Sequence, residues 1–143
     1  MVPKVLAFDT MAAVVGPYVG TANPIRGVPG GGLPWAIDEG RGELRADGTL
    51  EVVVEGSGLA SEEPVPEALQ GTNPIPNFRA IVSCQTIDAA GAADVSNVST
   101  GLFPASSAGD SSIEATIALP EPCFAPIVFV TSPGGAWFVV TGL

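Results

Sequence analysis

The sequence predicts an all-β protein, an antiparallel β-sandwich or jelly-roll-like barrel of about eight short strands with little helix. Three observations predict it. Glycine (18) and proline (14) together exceed a fifth of the 143 residues, too much punctuation for a helical bundle. Hydrophobic residues make up 46% and charged residues 14%, far too apolar a balance for a disordered chain. No segment keeps a helical apolar period over ten residues, whereas several alternate with period two. The length is that of one domain. Residues 1–143 therefore read as a single β domain, with 1–37 supplying N-terminal strands and a Pro/Gly-rich arm.

KVLAF (4–8) and MAAVV (11–15) are the first strand candidates. GELRADGTLEVVVEG (42–56) carries the clearest local signal, since Asp47-Gly48 is a tight-turn pair flanked by alternating residues. Leu44, Leu50, Val52 and Val54 share one face of that hairpin; Glu43, Arg45, Glu51 and Glu55 share the wet one. Arg45 and Glu51 are expected as a cross-strand pair worth at most about 1 kcal/mol. SEEPVPEALQ has room for one short helical turn starting near Ser61 or Pro66, and Pro74 and Pro76 hold the following residues extended. RAIVSCQTI (79–87), apolar on both faces at Ala80, Ile81 and Val82, reads as a central strand. VSNVSTGLF and IEATIAL (113–119) follow, the latter with Ile113, Ala115, Ile117 and Leu119 inward. PIVFVTS and AWFVVTG close the chain as a hairpin. Asn-Pro-Ile occurs at 23–25 and 73–75, but the surroundings do not match, so no repeat is inferred.

TANPIRGVPGGGLPWAI (21–37) resists this scheme. Pro29 and Pro34 lack amide donors and three glycines run together, so no regular ladder forms. Ile25, Val28, Leu33, Trp35 and Ile37 must still leave water. The arm is expected to lie across the domain or a neighbouring subunit, pinned by these side chains. No Gly-Lys-Ser/Thr follows the glycines, which excludes a phosphate loop.

Fifteen acidic residues against five basic ones, with no histidine, give a net charge of −10. Lys4, Arg26, Arg41, Arg45 and Arg79 are scattered, so nucleic acid is not an expected partner. The uncharged run 122–143 is long enough for a bilayer. Pro122, Pro126 and Pro133-Gly134-Gly135 break it into strand-sized pieces, so membrane insertion is not expected. The N-terminus makes a poor signal peptide because Asp9 interrupts its apolar stretch.

Without histidine there is no Ser-His-Asp triad, no Cys-His pair and no histidine metal site. Cys84 and Cys123 suit a disulfide between neighbouring strands better than two buried thiols or a reactive nucleophile. Closing a loop of about 40 residues would contribute at most roughly 4 kcal/mol and favour an extracytoplasmic location, against the missing signal peptide. Carboxylates are the remaining chemistry. Asp38-Glu39, Glu62-Glu63 and Asp110 with Glu114 are the pairs a glycosidase would need, and a solvated acidic surface is the plainer explanation. No cofactor is called for, save that calcium has nominal ligands in Asp38, Glu39, Asp94 and Asp110. Trp35, Trp137 and Tyr18 are candidate ligand-stacking aromatics, with core packing as their ordinary fate. Asn97-Val98-Ser99 is a glycosylation sequon, relevant only in a eukaryotic secretory route.

The runs IRGVPGGGLPWAI, DGTLEVVVEG, NPIPNFRAIVSC and APIVFVTSPGGAWFVVTG resemble a small bacterial all-β protein group with no known function. The resemblance covers most of the chain and implies no activity, substrate or site.

These features lead to the expectation of a non-enzymatic structural or self-assembling β-domain whose partner is itself, with the arm 16–37 and the strand 136–143 as contact surfaces. A carbohydrate- or calcium-binding β-module is the alternative, and a carboxylate-based glycosidase comes after it.

Overall fold

The computed structural model describes residues 2–141. The strands are β1 (Lys4–Phe8), β2 (Met11–Ala13), β3 (Trp35–Ala36), β4 (Glu39–Arg45), β5 (Thr49–Glu55), β6 (Gly58–Leu59), β7 (Asn77–Ile87), β8 (Ala93–Ser99), β9 (Phe103–Pro104), β10 (Ser111–Thr116), β11 (Phe124–Thr131) and β12 (Trp137–Thr141). Eight of them have five residues or more, and the only helical segments among the described residues are two three-residue 3-10 turns, Gly16–Tyr18 and Glu67–Leu69. The second starts just after Pro66, where the sequence places a helical turn. All named pairings are antiparallel.

Two principal sheets pack as a sandwich. The four-stranded sheet runs β1-β4-β5-β10 and the six-stranded one β2-β12-β11-β7-β8, with β9 pairing the start of β7. The two N-terminal strands belong to different sheets. Only Asp9 and Thr10 separate them, and the chain turns a corner there.

The β4–β5 hairpin follows from its sequence. Gly48 takes φ 91°, which an L-residue resists, and Asp47 Oδ1 accepts the Thr49 N–H at 3.0 Å to cap the turn. Leu44, Leu50, Val52 and Val54 face inward and are fully buried, joined by Ile113 of β10. One detail differs from expectation. Register sets Glu51 opposite Glu43, and Arg45 turns to Glu43 (3.0 Å) instead of Glu51. Arg45 and Glu43 are two residues apart on the same face of β4, and Lys4 of β1 reaches the same carboxylate at 2.7 Å.

β7 is central, flanked by β11 on one side and by β8 and β9 on the other. Its register with β11 and β12 puts Ala80, Val82, Val128, Val130 and Val139 on one face, all fully buried towards the other sheet. The opposite, outer face carries Ile81, Ile127, Phe129, Trp137 and Val140. Phe129 and Trp137 are nonetheless buried, because the arm covers that face. Ile117 and Leu119 lie past the end of β10 yet still pack on the core.

The arm is an irregular hairpin on its own domain. Its limbs meet at Gly20, whose N–H donates to Gly31 O (2.7 Å) and whose carbonyl accepts the Gly30 N–H (3.1 Å). Its tip pairs Ile25 with Val28. Gly30 must be glycine because a Cβ there would overlap the Tyr18 carbonyl. Residues 29–31 continue the six-stranded sheet beyond β2: the Trp137 N–H donates to Pro29 O and the Gly31 N–H to Trp137 O, both at 2.9 Å. Val28 and Trp35 are buried, and Ile25, Leu33 and Ile37 pack against the core. Asn23 and Asn73, first residues of the two Asn-Pro-Ile copies, play unlike roles. Asn73 is buried and bridges Ile75 and Ser106 backbone, whereas Asn23 is exposed and donates to Pro17 O.

Cys84 of β7 and Cys123, just before β11, are joined in a disulfide with Cα atoms 5.0 Å apart. No helix among the described residues is long and apolar enough to cross a membrane. The run 122–141 forms β11, a turn and β12; the last two residues expected in that hairpin, Gly142 and Leu143, lie outside the described residues.

Candidate functional site

The arm leaves part of the outer face uncovered, and a groove of about 550 Å³ results. Its floor is Ile127, Trp137 and Val140 of the sheet, and Val15, Tyr18 and Ile25 form its sides. The size is that of a ligand pocket, but no Asp, Glu, Lys or Arg lines it. Trp137 Nε1 is buried without a hydrogen-bond partner, a cost of about 1–3 kcal/mol borne beside this groove.

Of the three nominated aromatics, two come together here. Tyr18, 46% exposed, stands at the groove, and Trp137 closes its floor at 2% exposure. Trp35 does not join them. Its ring stacks on Phe138 at 3.8 Å and meets Phe78 edge-on at 6.4 Å, so it is a core residue and no open platform. Trp35 goes inward because its N–H donates to Val14 O while β3 pairs with β6, fixing the backbone at the end of the sandwich. Sequence reasoning missed Val15, Ile127 and Val140. Their apolar alternation marks them as strand residues, but which ones the arm leaves uncovered depends on its path.

The nominated calcium ligands do not form a cluster. Asp110 Oδ1 accepts the Gly56 N–H at 2.9 Å. The Asp38 carboxylate also lies against Gly56. Glu39 faces Glu55 across the ladder, with Arg41 within 4 Å of both. Asp94 lies in the other sheet, where its carboxylate accepts its neighbour Val95's N–H at 2.9 Å. Among the described residues no three acidic, histidine or cysteine side chains are placed to hold a metal ion.

Two carboxyls are held below their usual range. Glu43 is lowered by the hydrogen bond from Lys4 and then by Arg45. Asp47 is lowered chiefly by the Thr49 backbone N–H. Both belong to the β4–β5 hairpin and neither borders the groove.

A second polar junction lies at the arm's tip. Arg26 Nη1 donates to Ser83 O (3.0 Å) and Ala125 O (2.7 Å), and Asn97 Nδ2 donates to Arg26 O (2.9 Å). Arg26 (φ 48°) and Ala125 (φ 45°) are the two non-glycine residues with positive φ among those described. Each costs about 1–2 kcal/mol of backbone energy, and one hydrogen bond joins them.

What the fold and groove define is a disulfide-bearing β-sandwich with an arm folded over one sheet. No protein-family model, curated protein or solved structure matches the chain.

Proposed function

We propose that this chain is a non-enzymatic, self-assembling structural β-domain whose copies meet through the groove beside the arm. One observation carries the reading: on a chain of net charge −10 the groove walls carry no charged side chain. Two like-charged molecules repel unless they meet where charge is sparse, and contiguous apolar surface is the usual mark of an interaction site. Val15 and Tyr18 line the groove at 48% and 46% exposure. The disulfide favours an extracytoplasmic, oxidising setting for such a subunit.

Sedimentation velocity at micromolar protein tests the proposal. The expected mass is a multiple of 14.4 kDa, and Val15→Asp is expected to return it to the monomer. Added salt should strengthen association, because it screens the mutual repulsion. A clean monomer at every concentration and salt overturns the proposal. A carbohydrate- or calcium-binding module is the alternative. Tyr18 and Trp137 would serve the first and the dispersed carboxylates the second. Binding on a glycan array or heat in a calcium titration would favour it. A carboxylate glycosidase needs two carboxyls about 5–10 Å apart in an open cleft, and the groove has none in its walls.

A further inference from the structure

We propose that the Cys84–Cys123 disulfide and Arg26 form a redox-controlled latch that holds the arm closed over the outer face of the six-stranded sheet. The two carbonyls that Arg26 binds belong to Ser83 and Ala125. One is the residue before Cys84 and the other lies two residues after Cys123. The guanidinium therefore bridges the same two chain segments that the disulfide joins.

The segment carrying Ala125 has few other attachments. β11 pairs with β7 at Phe124 and again from Ile127, with a register shift between. Pro126 has no N–H to give the ladder. Phe124 is 59% exposed and Ala125 is exposed too. The start of β11 is held by the disulfide and by a ladder that is interrupted at Ala125 and Pro126. The bulge turns the Ala125 carbonyl towards Arg26, and both residues occupy the left-handed region to meet. Such conformations persist only where their surroundings over-determine them. Once the disulfide is open, the start of β11 is free to relax, Arg26 loses its shorter hydrogen bond, and the tip at Ile25–Val28 lifts from the sheet.

The chemistry is thiol–disulfide exchange with a dithiol reductant. Its thiolate attacks the sulfur of Cys123, the partly exposed partner, since Cys84 is fully buried. A mixed disulfide forms, and Cys84 leaves as a thiolate that takes up a proton. The second thiol of the reductant then displaces Cys123, which is also protonated. Two electrons and two protons pass to the protein, and the reductant ends as an intramolecular disulfide.

Trypsin reads the latch directly, because Arg26-Gly27 is a cleavage site at the tip and Arg41 and Arg79 are sites within the two sheets. In the oxidised protein the Arg26 site is expected to be cut slowly. After dithiothreitol and alkylation its cleavage is expected to accelerate at least tenfold while Arg41 and Arg79 stay protected. A Cys84→Ala/Cys123→Ala variant should behave like the reduced protein without reductant; if it does not fold, the reduced wild-type chain still decides. Rapid cutting at Arg26 in the oxidised protein, no acceleration on reduction, or acceleration at all three sites together each overturns the proposal. The last would mean that the disulfide supports the whole sandwich and not the arm. The latch does not rest on self-assembly, and a monomer would be as good a subject for the test.

Discussion

The β4–β5 hairpin and the arm bury their apolar side chains by opposite means. The hairpin has a regular ladder, a two-residue turn and a strict alternation, so Leu44, Leu50, Val52 and Val54 are carried inward together. The arm has no such period. It is held at separate points: Val28 and Trp35 in the core, Gly30 against Tyr18, residues 29–31 on the edge of β12, and Arg26 at the tip. A periodic element spreads its stability over many similar contacts, whereas a point-anchored one concentrates it in a few residues.

The largest expected effect compares one anchor from each region. Trp35→Ala removes a ring stacked on Phe138 and edge-on to Phe78 and should cost about 3–5 kcal/mol. Leu44→Ala, in the hairpin's buried face opposite Leu50, should cost about 2–5 kcal/mol. Urea unfolding of both would measure them. A Trp35→Ala loss below about 1 kcal/mol, well under that range, would break the comparison, since the arm would then be an ornament on a core that holds without it.

The next effect is smaller and sharper, because it uses neighbouring glycines in one loop. Gly30→Ala puts a methyl into the Tyr18 carbonyl, a backbone obstacle that cannot rotate away, and should cost about 2–3 kcal/mol. Gly32 has open space around it and no positive φ. Gly32→Ala should therefore lie within about 0.5 kcal/mol of neutral, and on the stabilising side if the unfolded chain is stiffened. Thermal melts of the pair suffice. Equal effects would mean that the limbs of the arm are not in close contact.

The same contrast explains what was legible in the sequence. The hairpin was, because Asp47-Gly48 and the alternation around it are local signals that name their own partner strand. The central position of β7 was, because Ala80, Ile81 and Val82 are apolar in succession, and so was the pairing of Cys84 with Cys123, the only two cysteines. That the arm's apolar residues must leave water was also legible, and Val28 and Trp35 do so, although Trp35 was also a candidate ligand platform; the surface they cover was not, since it depends on long-range register. Nor do KVLAF and MAAVV announce that they enter different sheets. The groove was hidden for that reason: Val140 and Ile127 look like any strand residues until the arm's path leaves them uncovered. The Arg45–Glu51 pair failed for a local reason: Glu43, two residues along the same strand, takes the guanidinium.

The smallest effect follows from that last difference and concerns the wet face of the hairpin. Lys4 and Arg45 favour the charged form of Glu43, so its folded pKa lies below its ordinary value of 4.5. A depressed carboxylate contributes stability that is fully present above its unfolded pKa and is lost as pH falls through the folded one. Glu43→Gln should therefore flatten the acid limb of stability against pH below about pH 4.5 while leaving the buried face of the hairpin intact. At neutral pH the loss should be small, since a pair that water reaches is screened, and smaller still in high salt. Urea midpoints of the wild type and Glu43→Gln between pH 3 and 7 would read this. If the two curves stay parallel into acid, the Lys4–Glu43 ion pair does not bind β1 to the hairpin, and the edge of the four-stranded sheet rests on its backbone ladder and on Leu6 and Phe8.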